Sequence, residues 1–371
     1  MTERGKTRIA VIFGGRSGEH DVSCKSAASV LTHLDRERYE VLPVRITIDG
    51  VWIAGQDEPD ATEIDVDALL RMTAPDSGAT RPLPIGSISD ALEALRDVDI
   101  VFPCLHGPYG EDGTIQALLE LAGLPYIGNG VLASAVSMDK EFTKKVLVSE
   151  GIEVAPGVVL RRPDETVSEA DRERLGLPVF VKPSRAGSSI GVSRVDDWAA
   201  LDAAVEKARR SDPKVLVEAA VPGREVDIGV LEFADGRVEA GPSLEIRVPD
   251  GFGFFDFEAK YTDVGTVFEI PAKLPPEVTA AVAETAVKAF HALDCTGLLR
   301  VDFFLRETAD GGVVPVINEV NTFPGFTSMS QYPQMWQAAG VSYSDLLDIL
   351  VETALLRQHP TPSAVRADID D

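Results

Sequence analysis

The first part of the chain alternates between short apolar runs and segments with a helical apolar period. A buried strand is predicted over Arg8–Phe13, a helix over Ser23–Leu34 and a second strand over Tyr39–Ile46. Strand, helix and strand in this order are typical of a βαβ unit with a parallel sheet. The N-terminal part of the chain is therefore predicted to be an α/β domain.

An irregular insert interrupts this domain. Residues 54–86 are rich in Pro, Gly and Asp, and the sequence assigns them no role. Regular patterns return with a predicted strand over Asp99–Pro103 and a helix over Gly113–Ala122. This helix is expected to turn three leucines inward: Leu118, Leu119 and Leu121.

The middle of the chain combines helical and strand patterns and predicts a smaller α+β unit. Its elements in chain order are a helix at Lys140–Ser149, strands at Val154–Val159 and Val179–Lys182, a helix at Trp198–Arg209 and a strand at Val215–Glu218. Because its pattern differs from the N-terminal βαβ unit, we expect it to fold as a separate unit.

The last part is rich in strands. It contains a long loop at Asp250–Tyr261 with several aromatic residues, a helix at Pro276–Leu293 and a closing helix at Ser344–Arg357. A chain of 371 residues is too long for one compact core. We therefore predict three domains and a frayed tail: residues 1–128, 129–220 and 221–357, followed by 358–371.

Two apolar runs near the C-terminal end, Leu298–Arg306 and Val313–Asn321, predict a β-hairpin. Asp310-Gly311 between them favours a two-residue type I′ turn. Alternation then assigns one set of side chains to the core: Leu299, Val301, Phe303, Leu305, Val314, Val316 and Val320.

The opposite face of this hairpin carries charged and amide side chains. The same register puts Asp302 opposite Glu319, with Arg300 opposite Asn321. Two facing carboxylates repel unless a cation lies between them. The face is thus either a metal and phosphate site or a solvated surface with chance ion pairing.

Charge and cysteine content restrict the function classes. The net charge of −25 argues against sequence-independent binding to nucleic acid or to an anionic membrane. The apolar runs are too short for a membrane span, and the first residues lack the apolar core of a signal peptide. Three widely spaced cysteines, Cys24, Cys104 and Cys295, indicate neither disulfides nor zinc. We expect a cytoplasmic protein with reduced thiols.

Two glycine-rich loops follow strands of the N-terminal domain, at Gly14–His20 and Leu105–Gly113. Such loops at the carboxyl ends of parallel strands lie side by side and bind ligands. The first lacks the spacing of a dinucleotide fingerprint, and its Glu19 would suit a substrate ammonium or act only as a helix-terminal carboxylate. In the second, His106 is a substrate contact or a structural hydrogen bonder.

Cationic and acidic residues of the middle segment could hold a phosphorylated ligand. Lys182 ends a strand and precedes a Gly/Ser loop whose Ser188 and Ser189 could contact phosphate, although no Walker A motif is present. Lys140, at a helix start, is a second candidate cation. The strand end at Glu218 could bind an adenine edge, and Glu225 could accept hydrogen bonds from ribose hydroxyls. Taken singly, both residues would be read as solvated charges.

The aromatic loop Phe254–Tyr261 is a functional lid or an edge strand.

The order of these motifs resembles that of ATP-grasp enzymes, and within them of the D-alanine:D-alanine ligase family. The resemblance extends from Arg8 to Leu355 and rests most on GGRSGEH, HGPYGEDG, VKPSRAGSSIG, EAKY, NEVNTFPG and TSMSQYP. It implies an α/β and α+β protein with the three-domain ATP-grasp architecture, beginning with a Rossmann-like α/β domain.

The resemblance also implies a role for each candidate residue. Catalytic roles fall on Glu19, Ser188, Tyr261 and Arg300, and substrate binding on His106, Gly325 and Ser330. ATP contacts fall on Lys140, Lys182, Ser189, Glu218, Ala219, Val221, Glu225 and Lys260. The implied ligands of two Mg²⁺ or Mn²⁺ ions are Asp302, Glu319 and Asn321, and a monovalent cation is a further option. The family implies a cytoplasmic homodimer that uses D-alanine and ATP and binds neither nucleic acid nor membrane.

The implied reaction joins two D-alanine molecules for peptidoglycan synthesis through an acyl phosphate, with Arg300 stabilising the tetrahedral oxyanion. One alternative is a D-alanine:D-lactate ligase on the same fold. The resemblance favours dipeptide formation instead, because Tyr261 is the residue of the dipeptide-forming type. Another is an inactive nucleotide-binding module, which would be expected to have lost a metal carboxylate or a phosphate lysine. All of those positions are filled here.

Overall fold

The structure of the protein is a computed structural model that describes residues 5–57, 64–70, 92–247 and 267–357. Several predictions lie outside these residues: most of the insert at 54–86, the loop at Asp250–Tyr261 with Lys260 and Tyr261, and the tail at 358–371. Within the described ranges, no helix is both long and apolar enough to traverse a lipid bilayer.

The N-terminal sheet has four strands in the order β3-β2-β1-β4. The strands are β1 (Thr7–Gly14), β2 (Tyr39–Ile46), β3 (Trp52–Ala54) and β4 (Ile100–Cys104). The helices of this part are α1 (His20–His33), α2 (Val66–Leu70) and α3 (Thr114–Leu121). Because β1 pairs in parallel with both β2 and β4, the predicted βαβ pattern is confirmed and the carboxyl ends of β1 and β4 meet at one edge.

One detail of helix α3 was predicted wrongly. Leu119 is fully buried, but Leu121 is 89% exposed. Two residues along an α-helix correspond to a rotation of about 200°, so Leu121 lies on the face opposite Leu119. The buried face is formed instead by Ile115, Gln116 and Leu119.

The second sheet is antiparallel, with the strand order β5-β8-β6-β7. Its strands are β5 (Gly157–Leu160), β6 (Val179–Pro183), β7 (Ser193–Val195) and β8 (Val215–Ala219). The nearby helices are α4 (Val131–Met138), α5 (Lys140–Ser149), α6 (Glu169–Leu175) and α7 (Leu201–Arg209), the last preceded by a 3₁₀ turn at Trp198–Ala200. Helices α6 and α7 share a separate apolar core with this sheet.

The third sheet has six strands, in the order β12-β11-β9-β13-β14 with β10 beside β9. The strands are β9 (Arg224–Glu232), β10 (Val238–Ala240), β11 (Leu244–Arg247), β12 (Val267–Glu269), β13 (Leu298–Glu307) and β14 (Val313–Asn321). Its helices are α8 (Pro276–Ala292), α9 (Gln331–Ala338) and α10 (Tyr343–Leu356). One core lies between the sheet and α8, and another joins its strands, α9 and α10 to the N-terminal sheet. The proposed domain boundaries at 128 and 220 fall between strands of different sheets.

The hairpin β13–β14 has the predicted register at one end only. Arg300 pairs with Asn321 and Asp302 with Glu319, as expected, but Phe303 pairs with Ile317 because Asn318 forms a bulge. The two-residue turn was wrong: Thr308 N donates to Gly312 O at 2.9 Å, so the loop comprises Ala309–Gly311. The longer turn shifts the register by one residue, and the bulge shifts it back before the charged face.

Because of the bulge, the predicted core face of the hairpin is only partly correct. Leu299, Val301, Phe303 and Leu305 are buried as expected, together with Ile317 and Val320. On the turn side of the bulge, however, Val316 pairs with Phe304 and Val314 with Arg306. Directly paired residues share a face, so these two valines lie on the other face of the hairpin from Phe303 and Leu305. Val316 is nevertheless buried, at 2% exposure, as predicted.

Candidate active site

Two cavities meet in front of the charged hairpin face. The smaller, of about 320 Å³, is lined by the loops that follow β1 and β4, the Gly/Ser loop after β6, and the end of β14. The larger, of about 580 Å³, lies between the second and third sheets. Both are lined by Lys140, Ala186 and Glu319, so a ligand in one could reach a ligand in the other at this point.

Every predicted site residue that the structure describes lines one of these cavities. The smaller cavity gathers Glu19, His106, Lys140, Ser188, Arg300, Glu319, Asn321, Gly325 and Ser330. The larger gathers Lys140, Lys182, Ser189, Glu218, Ala219, Val221, Glu225, Asp302 and Glu319. Residues positioned by all three sheets therefore converge on these two cavities.

Glu19 lies just before α1 and is closely enclosed by backbone. A Cβ atom on Gly107 would lie 2.7 Å from Glu19 Oε2, and one on Gly187 would lie 3.0 Å from it. Ser188 donates its hydroxyl to the same carboxylate, and Ser188 and Ser189 both have positive φ values, of 51° and 56°. Non-glycine residues adopt this conformation uncommonly, and such residues cluster at functional sites. The Glu19 carboxylate is thus an acceptor held at the junction of two loops, suited to an ammonium group.

Arg300 and Asp302 are joined by a two-pronged ion pair along β13. Arg300 Nε and NH2 each donate to a different oxygen of Asp302 at 2.7 Å, and Asn321 Nδ2 donates to Asp302 Oδ2 at 3.1 Å. Burial alone would lower the pKa of Arg300, but Asp302 in particular raises it well above its usual value. The guanidinium is therefore a permanent cation directed at the smaller cavity.

The carboxylates of the hairpin face suit a hard cation. Each is balanced by a cationic side chain: Asp302 by Arg300, and Glu319 by Lys140, whose Nζ lies 3.6 Å from Glu319 Oε2. In the described part of the chain, no three His, Cys, Asp or Glu side chains are arranged so that they alone could hold a metal ion. Two carboxylates and the amide oxygen of Asn321 nevertheless form an oxygen-only set of the kind that Mg²⁺ and Mn²⁺ prefer. The three oxygen donors and the negative charge of the two carboxylates fit these metals.

A charge cluster lies at the wall of the larger cavity, which Lys182 and Glu218 line. Lys182 and Lys144 pair with the two oxygens of Glu218, with Lys144 Nζ at 2.5 Å. Burial alone would raise the pKa of Glu218, but these lysines hold it below its usual value. The bulge turns Asn318 into the cavity, where its Oδ1 accepts a hydrogen bond from Lys182 Nζ at 3.4 Å. A fixed carboxylate and a fixed ammonium thus stand beside the strand end predicted to bind adenine.

His106 lines the smaller cavity, but both ring nitrogens have protein partners. Nε2 lies 3.0 Å from Ser26 Oγ, and Nδ1 lies 3.1 Å from the carbonyl oxygen of Phe323. Because a carbonyl can only accept, Nδ1 carries the proton and donates, and Nε2 accepts from the serine. This geometry favours the structural interpretation of His106: the ring joins the loop after β4 to the loop after β14.

Burial lowers the pKa of His106 from 6.5 to about 4. The folded state therefore prefers the neutral ring, and its stabilising contribution is complete above pH 6.5 and declines as the pH falls towards 4, by up to about 3 kcal/mol. We expect the thermal unfolding midpoint to fall more between pH 7.5 and pH 5 in the wild type than in His106→Gln. His291→Gln, an exposed histidine on α8, should behave as the wild type. Equal pH dependence in all three proteins would contradict the assignment.

Ser330 and Gly325 lie in the loop between β14 and α9. Ser330 directly precedes α9, and its Oγ lies 2.8 Å from Thr327 Oγ1 and accepts from Thr327 N at 3.1 Å. A Cβ on Gly325 would lie 3.3 Å from Ser330 Oγ. The hydroxyl therefore has a fixed position beside the smaller cavity, compatible with the predicted substrate contact.

Sequence reasoning did not select three charged residues in or next to the site: the half-buried Lys144 and Glu111, and the buried Asp227. Glu111 accepts from Gly107 N at 2.7 Å and from Phe323 N at 3.2 Å, and burial, aided by the charge of Glu19, raises its pKa to about 8. Its presence in a Gly-rich loop beside that of Glu19 was the one available signal. Nothing in the sequence distinguished Lys144 from surface lysines.

Family profiles match nearly the whole length of the chain. The profile described as D-ala D-ala ligase N-terminus matches residues 8–129, and that described as D-ala D-ala ligase C-terminus matches residues 146–352. The chain belongs to the D-alanine:D-alanine ligase family.

Individual ligases of the family agree with this assignment. A D-alanine-D-alanine ligase from Nocardia farcinica is 56% identical over 365 residues, which covers 96% of this chain and 99% of the relative. A D-alanine-D-alanine ligase from Rhodococcus opacus is 55% identical over 364 residues, covering 95% of this chain and 98% of the relative.

Solved structures of ligases share the fold. The D-alanine-D-alanine ligase from Coxiella burnetii aligns with a TM-score of 0.80 and 32% identity, over 99% of this chain and all (100%) of that one. The VanG D-Ala:D-Ser ligase from Enterococcus faecalis aligns with a TM-score of 0.78 and 36% identity, over 94% of this chain and 100% of that one. The predicted ATP-grasp architecture is thereby confirmed for this member of the D-alanine:D-alanine ligase family.

Proposed function

We propose that the protein joins two D-alanine molecules into D-alanyl-D-alanine, with conversion of ATP to ADP and phosphate, for the synthesis of peptidoglycan. The observation that carries the proposal is the meeting of the two cavities at Lys140 and Glu319. One cavity offers a carboxylate for an ammonium, and the other offers lysines for phosphates. A reaction that activates a small amino acid with a nucleotide phosphate needs these two sites side by side.

In the first step, the carboxylate of one D-alanine attacks the γ-phosphorus of ATP, and the bond to the bridging oxygen of ADP breaks. Glu19, with the Ser188 hydroxyl beside it, holds the ammonium of that D-alanine and so orients its carboxylate. Lys140 and Lys182 neutralise charge on the phosphates. Divalent cations bound by Asp302, Glu319 and Asn321 would act as Lewis acids towards the transferred phosphoryl group.

In the second step, the amine of another D-alanine attacks the acyl phosphate, and phosphate leaves. The Arg300 guanidinium stabilises the oxyanion of the tetrahedral intermediate, because the carboxylates beside its Nε, Asp302 at 2.7 Å and Asp227 at 3.8 Å, hold it at the smaller cavity. Tyr261 and Lys260 belong to the same proposal, as partners of Ser188 and of the γ-phosphate. Water must be excluded because acyl phosphates hydrolyse.

The nucleotide would lie in the larger cavity. Adenine would contact the strand end of β8 at Glu218, Ala219 and Val221, while Glu225 accepts from the ribose and Ser189 contacts phosphate. In the smaller cavity, Gly325 and Ser330 would contact the second D-alanine, with His106 positioning the loop that carries them. The finer parts of the proposal are two Mg²⁺ or Mn²⁺ ions, activation by a monovalent cation, a homodimer and a cytoplasmic location.

The identity of the second substrate decides between related ligases. We expect purified protein with Mg-ATP to form D-alanyl-D-alanine as its main product near neutral pH. Equimolar D-lactate or D-serine should not change that product, since the relatives with the greater identity are named for D-alanine. Mass spectrometry of the products is the measurement.

Other products would change the assignment. A depsipeptide would indicate a D-alanine:D-lactate ligase, and D-alanyl-D-serine would indicate the specificity for which the Enterococcus faecalis enzyme is named. Absence of D-alanine-dependent ADP formation under all three conditions would indicate the inactive nucleotide-binding module.

A further inference from the structure

Three carboxylates form a row across neighbouring strands of the third sheet. Asp302 on β13 pairs directly with Asp227 on β9 and with Glu319 on β14, so all three side chains lie on the same face. Asp227 is among the most buried of the charged residues, at 1% exposure. A buried carboxylate needs a cationic partner, because an isolated charge is costly to remove from water.

Arg300 is the cation that Asp227 and Asp302 share. Its Nε lies 2.7 Å from Asp302 Oδ1 and 3.8 Å from Asp227 Oδ2, and its side chain is only 11% exposed. The strand pairing places Arg300 diagonally to Asp227, since its direct neighbour on β9 is Gly229.

The two-pronged ion pair is in conflict with metal binding at Asp302. Arg300 uses both oxygens of Asp302, and Asn321 donates to one of them. A divalent cation must take at least one oxygen and would stand close to the guanidinium. Arg300 then has to give up part of its bond with Asp302, although it cannot lose its proton at any accessible pH. The charged guanidinium of Arg300 therefore requires a second carboxylate within reach.

We propose that Asp227 is this second carboxylate and holds the Arg300 guanidinium when Asp302 binds a divalent cation. Strand β13 can then carry both a metal ligand and an oxyanion-binding arginine. Asp227 is a positioning residue and contacts neither metal nor substrate. The inference rests on the proposed metal site at Asp302 and goes beyond it.

The test measures binding of Mn²⁺ alone to the full-length protein, by the electron paramagnetic resonance signal of free Mn²⁺. Without Asp227, the guanidinium competes more strongly for Asp302. We therefore expect Asp227→Asn to raise the dissociation constant of Mn²⁺ about ten- to a hundredfold, as for other residues that orient metal ligands. Glu239→Gln, the same charge change on exposed strand β10 of this sheet, should leave it unchanged.

A double-mutant cycle separates positioning from simple loss of negative charge. If Asp227 acts through Arg300, Asp227→Asn should weaken Mn²⁺ binding little or not at all in the Arg300→Met background. Equal weakening in both backgrounds would overturn the proposal, because a direct charge effect does not need Arg300. Unchanged affinity of Asp227→Asn in the otherwise wild-type protein would overturn it too.

Two further variants complete the design. Asp227→Ser also removes the carboxylate of Asp227 but introduces a smaller side chain. Circular dichroism shows which of the two variants is folded, and the Mn²⁺ affinity of the folded variant is the one compared with the wild type. Asp302→Asn tests the metal site itself and should abolish Mn²⁺ binding. Wild-type affinity in Asp302→Asn would refute the proposed metal site, whereas its loss together with unchanged binding in Asp227→Asn would refute only the role of Asp227.

Discussion

Asp302→Asn is expected to reduce D-alanine-dependent phosphate release from ATP by about a thousandfold or more. The change removes a charged metal ligand that lines the larger cavity, and it also removes one carboxylate partner of Arg300. Metal charge and guanidinium direction both act in the transition state. The two losses should therefore appear mainly in kcat.

A coupled assay of ADP formation with saturating D-alanine and Mg-ATP measures this effect. Glu307→Gln is the matched control: it removes a carboxylate from the exposed end of the same strand, and we expect activity within about twofold of the wild type. Glu319→Gln should resemble Asp302→Asn, because Glu319 pairs with it across the hairpin. Turnover retained by both site variants, in folded protein, would contradict the metal site.

The hairpin that carries these residues shows why sequence reasoning succeeded locally. The polar face was predicted from side-chain alternation and from the Asp310-Gly311 turn, and the turn was wrong. The register at Asp302 was still correct because the bulge at Asn318 compensates for the longer loop. The backbone between the turn and the site thus absorbs an extra residue without moving the carboxylates out of register. Alternation near the site was a better guide than turn chemistry far from it.

The candidate site was predictable where its residues stand in motifs with a chemical pattern. A carboxylate after a Gly-rich turn, as at Glu19, or a lysine that ends a strand before a Gly/Ser loop, as at Lys182, indicates a ligand contact without any coordinates. The order of such motifs along the chain then indicates the family. All predicted site residues in the described ranges accordingly line the two cavities.

Residues whose role depends on a distant partner could not be predicted in this way. Lys144 follows Lys140 by one helical turn, and only the tertiary structure brings it to Glu218 on β8 as a partner. Asp227 alternates correctly with buried apolar residues, so the sequence gives no reason to separate it from other strand carboxylates. Its contact with Arg300 arises from the pairing of β9 with β13.

Arg300→Lys should lower kcat about a hundred- to a thousandfold, with a much smaller change in KM for ATP. Lysine keeps the positive charge but replaces the planar fork by one ammonium. It cannot reproduce the planar contacts of the guanidinium, whose Nε lies 2.7 Å from Asp302 and 3.8 Å from Asp227, so its position relative to the oxyanion is no longer fixed. The cost therefore falls on the transition state, where the negative charge develops.

The matched control is Arg306→Lys, the same substitution on the same strand, where the guanidinium pairs with Glu153 at a solvent-exposed position. Exposed ion pairs contribute about 1 kcal/mol or less, so this variant should keep most of its activity. Steady-state kinetics of both variants, with variable ATP at saturating D-alanine, separates kcat from KM. More than a tenth of the wild-type kcat in Arg300→Lys would show that positive charge alone suffices, because a charge that needs no fixed direction can be supplied by lysine as well as by arginine.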